Sequence, residues 1–89
     1  MDFYATWCGP CVRAAPVFAQ MSQELQGKPI ELWKVDVDGS HTIAKRQRIS
    51  CMPTFKFLRC ADGVASELEA VQGWAEMQIK ASVQKYLNA

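Results

Sequence analysis

Net charge is nearly absent from this chain: ten Lys and Arg against nine Asp and Glu leave +1 over 89 residues. A balance that close excludes a partner held by electrostatics alone, so neither nucleic acid nor an anionic membrane surface is expected as a ligand. The one basic cluster, Lys45, Arg46 and Arg48, reads as a solvated helix face. No apolar run approaches the length of a membrane span, and no charged segment leads into a long apolar one near Met1, so the cytosol is the expected compartment. Histidine occurs once, at His41. A closed zinc site would have to recruit it together with Cys51 and Cys60, which stand nine residues apart, too loose for the usual close ligand pairs. Repeats and low-complexity tracts are missing too. The length suits a single domain, 1–89, burying roughly 60 to 65% of its unfolded surface.

Cysteine is what the chain does have, and two of the four stand in Trp7-Cys8-Gly9-Pro10-Cys11. Gly9 lets the backbone turn without a Cβ penalty, and Pro10 suits the first helical position, where its missing N–H has no intrahelical partner to lose. Cys8 is thereby placed at a helix N-terminus, where unpaired N–H groups and the positive end of the helix dipole favour thiolate, the attacking species. Cys11 falls inside the first turn, less exposed and positioned to attack a mixed disulfide on Cys8. An inert structural disulfide is the weaker reading, because closing so short a loop stabilises a fold little. In a reducing compartment the four cysteines read as working or free thiols rather than a disulfide framework.

Strand and helix signals alternate along the chain. Residues 2–5 read as a short strand, and Pro10 to about Gln26 as a helix with Ala14, Phe18, Met21 and Leu25 near one face. Gly27 and Pro29 stop it, and Pro16 inside it is expected to bend it. Ile30–Val37 reads as a strand, Asp38-Gly39 as a turn and His41–Arg48 as a short helix. Thr54 to about Cys60 and Val64 to about Val71 form a hairpin around Asp62-Gly63. A last helix, about Ala75 to Leu87, puts Ile79, Val83, Tyr86 and Leu87 on one face. The order β-α-β-α-β-β-α predicts an α/β fold: a mixed sheet with helices on both faces.

The stretch from Asp2 to Cys11 resembles the active-site segment of the thioredoxin family, and Val35-Asp36-Val37-Asp38, Met52-Pro53-Thr54-Phe55 and Gly73 fall in that family's order. The resemblance implies a thioredoxin-like fold over nearly the whole chain. Family members begin with a further strand and helix, expected to be absent here, and the remaining core resembles the smaller glutaredoxin architecture. Ile30–Val37 should then form a sheet edge, apolar sheet surface should be uncovered, and self-association through either is expected.

By the same resemblance, Met52-Pro53 is the loop whose cis proline faces the cysteines, an isomer that proline tolerates best; an ordinary trans turn is the alternative. With Gly9 and Pro10, the residues Trp7, Met52, Pro53 and Gly73 are implied to border an apolar groove for an extended substrate segment paired beside Pro53. Trp74 either forms the rim of that groove or packs in the core. Asp2 matches the family's buried carboxylate and Lys34 its lysine partner, implying a proton relay to Cys11; the alternative is a solvated Asp2. The nearby chain ammonium and water are expected to keep Asp2 ionised and weaken that relay. Cys51 resembles an extra thiol beside the groove in some family members, exposed enough to oxidise between molecules, or else an inert packed thiol. Cys60 is expected to be a buried apolar residue.

The family reading implies a protein-disulfide reductase that needs no bound cofactor and is recharged by an NADPH-dependent flavoprotein, thioredoxin reductase. A redox-responsive binding module and a non-catalytic short isoform are the competing readings.

Overall fold

Residues 1–88 are described by a computed structural model. The elements run in the expected order: β1 (Asp2–Tyr4), α1 (Gly9–Glu24), β2 (Lys34–Asp36), α2 (His41–Arg46), β3 (Thr54–Ala61), β4 (Val64–Gln72) and α3 (Glu76–Leu87). They build one mixed sheet in the order β2-β1-β3-β4, with β1 parallel to β2 and antiparallel to β3. This is the predicted α/β architecture.

Alternation along the strands sorts their side chains between two faces. Asp2 pairs with both Lys34 and Phe55, and Phe55 pairs with Val71, so these residues share one face. The helices α1 and α3 cover that face, where Ala14, Phe18, Met21, Leu25, Ile79 and Val83 form one buried cluster with Phe55 and Val71. The apolar stripe of α1 is thus the one its spacing predicted. Pro16 leaves the Val12 carbonyl without its i+4 donor, yet α1 continues to Glu24. On α3, Ile79 and Val83 face the cluster, while the Tyr86 hydroxyl and the buried Ser82 hydroxyl both donate to Glu69 on β4, at 2.8 and 2.7 Å. Those two bonds and the Lys85 ion pair hold the Glu69 carboxyl below its usual range and tie α3 to the sheet.

The second face departs from expectation. Phe3 and Val35 are buried there, but over β3 and β4 it carries Thr54, Lys56 and Gln72, with Lys56 paired to Glu67 at 2.7 Å. Arg46 at the end of α2 and residues 47–50 after it border a cleft on this face. The surface predicted to be apolar is therefore polar and self-paired along these strands.

Two boundaries shift for physical reasons. The strand expected over Ile30–Val37 shrinks to Lys34–Asp36, because β1 offers only three residues to pair with. Ile30 and Leu32 instead pack against the main core, and β2 is an edge as expected. The helix expected to reach Arg48 ends at Arg46, and Arg48 takes a positive φ of 55°. The hairpin agrees with its turn chemistry: Asp62 and Gly63 both have positive φ, 53° and 77°, as a type I′ turn requires.

Candidate functional site

The site is built at the mouth of α1. Cys8 is the N-cap, with extended backbone (φ −86°, ψ 121°), and Gly9 and Pro10 occupy the first two helical positions. Pro10 is thus one residue further in than expected, still where no intrahelical N–H is lost. The Cys8 Sγ accepts the Cys11 N–H at 3.3 Å, so one of the helix's orphan donors is aimed at this sulfur. As a thiol, Cys8 donates to the Met52 carbonyl at 3.6 Å.

Exposure hardly separates the two thiols: Cys8 is 8% exposed and Cys11 5%. Position separates them. Cys8 stands outside the helical turn between exposed neighbours, whereas burial, reinforced by the hydrogen bond with Cys8, pushes the Cys11 thiol up to about 11. Both pack with Ala5, and Tyr4, Val37 and Met52 close around them.

Asp2 corrects the sequence reading. Water and the chain ammonium are expected to oppose an upward shift at this carboxyl, but it is 2% exposed, and burial pushes it up to about 6 against the pull of Lys34 and the ammonium. The reason is its face of the sheet: Asp2 shares with Phe55 and Val71 the side that α1 and α3 cover, while Met1 continues the pairing toward β3, its ammonium donating to the Lys56 carbonyl at 2.7 Å. Asp2 Oδ1 is buried without a hydrogen-bond partner, an energetically poor position for a carboxylate. Lys34 acts on Asp2 through its charge and not by contact; its Nζ lies 4.5 Å from the centre of the Tyr4 ring.

The loop opposite the cysteines has the expected form, with a cis Met52-Pro53 bond. Pro53 is fully buried and its carbonyl accepts the Gly73 N–H at 2.8 Å. The predicted pairing of substrate beside Pro53 must therefore use another backbone group, since this carbonyl is occupied. Met52 and Gly73 are brought to the site through these contacts. Trp7 is 68% exposed, and its Nε1–H donates to Asp38 Oδ2 at 2.8 Å. The sequence places Asp38 in a turn and in the family-order segment Val35-Asp36-Val37-Asp38 but assigns it no role at the site; an aspartate in the turn after the strand neighbouring β1 is the signal available.

Trp74 resolves toward the core, its ring 5.8 Å from that of Phe55. Cys51 is exposed, and so is Cys60, against the expectation of burial. Cys60 lies near the hairpin turn, past the part of β3 that α1 and α3 cover. Among the described residues no cluster of three or more His, Cys, Asp or Glu could hold a metal ion.

Comparison with known proteins agrees with this geometry. The Thioredoxin family model matches residues 1–85. The chain is 35% identical over 89 residues to thioredoxin-1 of Caenorhabditis elegans, covering all of this chain and 72% of that protein. It is 42% identical over 89 residues to an H-type thioredoxin of Chlamydomonas reinhardtii, covering 74% of that protein. The structure of Malassezia sympodialis thioredoxin superposes with a TM-score of 0.83 at 36% identity, over 97% of this chain and 71% of that one.

Proposed function

We propose, for a chain that belongs to the thioredoxin family and is a protein-disulfide oxidoreductase, that Cys8 attacks substrate disulfides and Cys11 resolves the product. The observation that carries this assignment is the asymmetry at the helix mouth. The Cys8 sulfur caps the helix and faces its N–H, while Cys11 lies inside the first turn, its thiol pushed up to about 11.

The exchange balances in two steps. The Cys8 thiolate bonds to one sulfur of the substrate disulfide, and the other sulfur leaves as a thiolate that takes a proton from water. Cys11, once deprotonated, attacks Cys8 Sγ, releasing the second substrate thiolate and closing the Cys8–Cys11 disulfide. Two electrons pass to the substrate. Asp2 is the base suited to the second step: buried, without a partner on Oδ1, near 6, and electrically coupled to Cys11. Trp7, Gly9, Pro10, Met52 and Gly73 form the surface across which a substrate segment approaches, with Pro53 buried as its support.

Thioredoxin reductase, an NADPH-dependent flavoprotein, is the partner that returns the electrons, and the protein needs no resident cofactor. The reading places it as a single domain in the cytoplasm, in redox homeostasis and electron transport; the near-neutral charge supports protein disulfides over nucleic acid as partners. No helix among the described residues is long and apolar enough to cross a membrane. Insulin reduction under a recycling reductant is the test. Many turnovers per protein are expected, whereas a single equivalent of exchange would favour a redox-switched binding module.

Self-association is a further part of this proposal. Pairing is expected through the β2 edge, extended by residues 30–33, where Trp33 is 59% exposed. Sedimentation in excess reductant should show a dimer that strengthens with concentration, and Trp33→Lys should weaken it. A strict monomer from micromolar to millimolar concentration would sink the edge-pairing idea, and a dimer present only without reductant would point to Cys51.

A further inference from the structure

A cation stands beside the cysteine turn that the exchange steps leave unused. Arg13 follows Gly9 by four residues on α1, so the two share a face one turn apart, and helical side chains tilt toward the N-terminus. The guanidinium reaches back over the active-site turn: a Cβ placed on Gly9 would lie 3.6 Å from Arg13 Nη1. Both residues are exposed. Among the described residues Arg13 has no carboxylate within ion-pair distance, and the first turn of α1 holds no acidic residue. A positive side chain directed at the positive end of a helix dipole is electrostatically uncomfortable until an anion arrives.

We propose that Arg13 is a specificity-determining residue of the disulfide exchange, favouring substrate disulfides whose attacked cysteine is flanked by an acidic residue. The proposal rests on Cys8 being the nucleophile. A substrate sulfur reaching Cys8 must pass within a few ångströms of Gly9, which brings its neighbouring side chain into the reach of the guanidinium. The acidic flank belongs on the Gly9 side of Cys8. On the Trp7 side the Asp38 carboxylate, held by the Trp7 indole, would repel it. The interaction is solvent-exposed, so it tunes the encounter and the rate of the first attack and leaves the chemistry of the two thiols unchanged.

The experiment uses three disulfide peptides that differ only in having Glu, Gln or Lys next to the cysteine. Second-order rate constants for mixed-disulfide formation are measured in the Cys11→Ser background. The Glu peptide should react on the order of threefold faster than the Gln peptide, and the Lys peptide slower by a similar factor. The spread should collapse at 1 M salt and in Arg13→Gln, and survive in part in Arg13→Lys. A wild-type rate that ignores the flanking charge, or a spread that persists in Arg13→Gln, overturns the proposal. A second readout does not depend on exchange: the ratio of Cys8 alkylation by iodoacetate to that by iodoacetamide should fall about threefold in Arg13→Gln. An unchanged ratio counts against Arg13, whereas failure of all three peptides with a shifted ratio would count against the Cys8 exchange reading instead.

Discussion

Cys11→Ser is expected to leave the protein joined to its substrates through a stable mixed disulfide at Cys8, while Cys8→Ser traps almost none. In the wild type the second attack is intramolecular, with effective molarities that reach on the order of 10⁵ M for well-oriented groups, so the intermediate is short-lived. Serine at position 11 removes that attack and leaves only slow exchange with thiols in solution. Insulin turnover should fall by at least about a thousandfold in either variant, for opposite reasons. Mass spectrometry of the protein quenched with an alkylating agent separates them: an adduct of protein plus substrate for Cys11→Ser, and protein alkylated at its free thiols, without a substrate adduct, for Cys8→Ser. Comparable trapping by the two variants would contradict the asymmetry between Cys8 at the cap and Cys11 inside the first turn. The variants should fold alike, since each exchanges a small side chain for one of nearly the same size.

Asp2→Asn is expected to stabilise the protein at pH 7 and to slow it as a reductase. The carboxyl is pushed from 3.8 to about 6 by burial, so the folded chain binds its proton more tightly than the unfolded chain does. Below about pH 4 Asp2 is protonated in both states and contributes nothing to the difference. As pH rises toward 6 the unfolded state sheds the proton first, stability falls, and above 6 the loss is complete and constant. Two units correspond to about 3 kcal/mol, an upper figure for what the buried charge costs at neutral pH. In Asp2→Asn this decline between pH 4 and 6 should vanish, with a gain of about 1 to 3 kcal/mol at pH 7, because the amide is neutral throughout. Urea unfolding at pH 4 and pH 7 measures it, and identical pH dependence in the two proteins would rule the account out. The same substitution removes the base proposed for Cys11, so turnover should drop on the order of tenfold or more and lose any acid limb near pH 6. A variant that is more stable yet slower is the signature of a group kept for chemistry at a cost to the fold.

The cysteine turn, the order of the elements and the apolar faces of α1 and α3 were legible in the sequence. Each rests on interactions within one turn or one strand: Gly9 and Pro10 shape the helix start, Ala14, Phe18 and Met21 recur at helical spacing, and Asp62-Gly63 supplies two residues that tolerate positive φ. The thioredoxin family was legible too, from motifs that are contiguous in the chain.

What the sequence could not decide was burial, which depends on what distant elements cover. Asp2 looked solvated from its place in the chain, yet its side chain lies on the sheet face that α1 and α3 cover, and that burial changes its acidity. Cys60 looked like core by residue type but lies past the reach of the helices. Residues 30–33 had strand composition, but a strand is defined by its neighbour, and β1 ends the ladder after three residues. Trp74 found Phe55, Trp7 found Asp38, and Met52 was brought to Cys8 across 44 positions. Local rules fix which backbone shapes a segment prefers, because their energies involve neighbours in the chain. Acidity, exposure and strand length depend on which solvent or partner surrounds a group, and only the assembled sheet and its covering helices supply those surroundings.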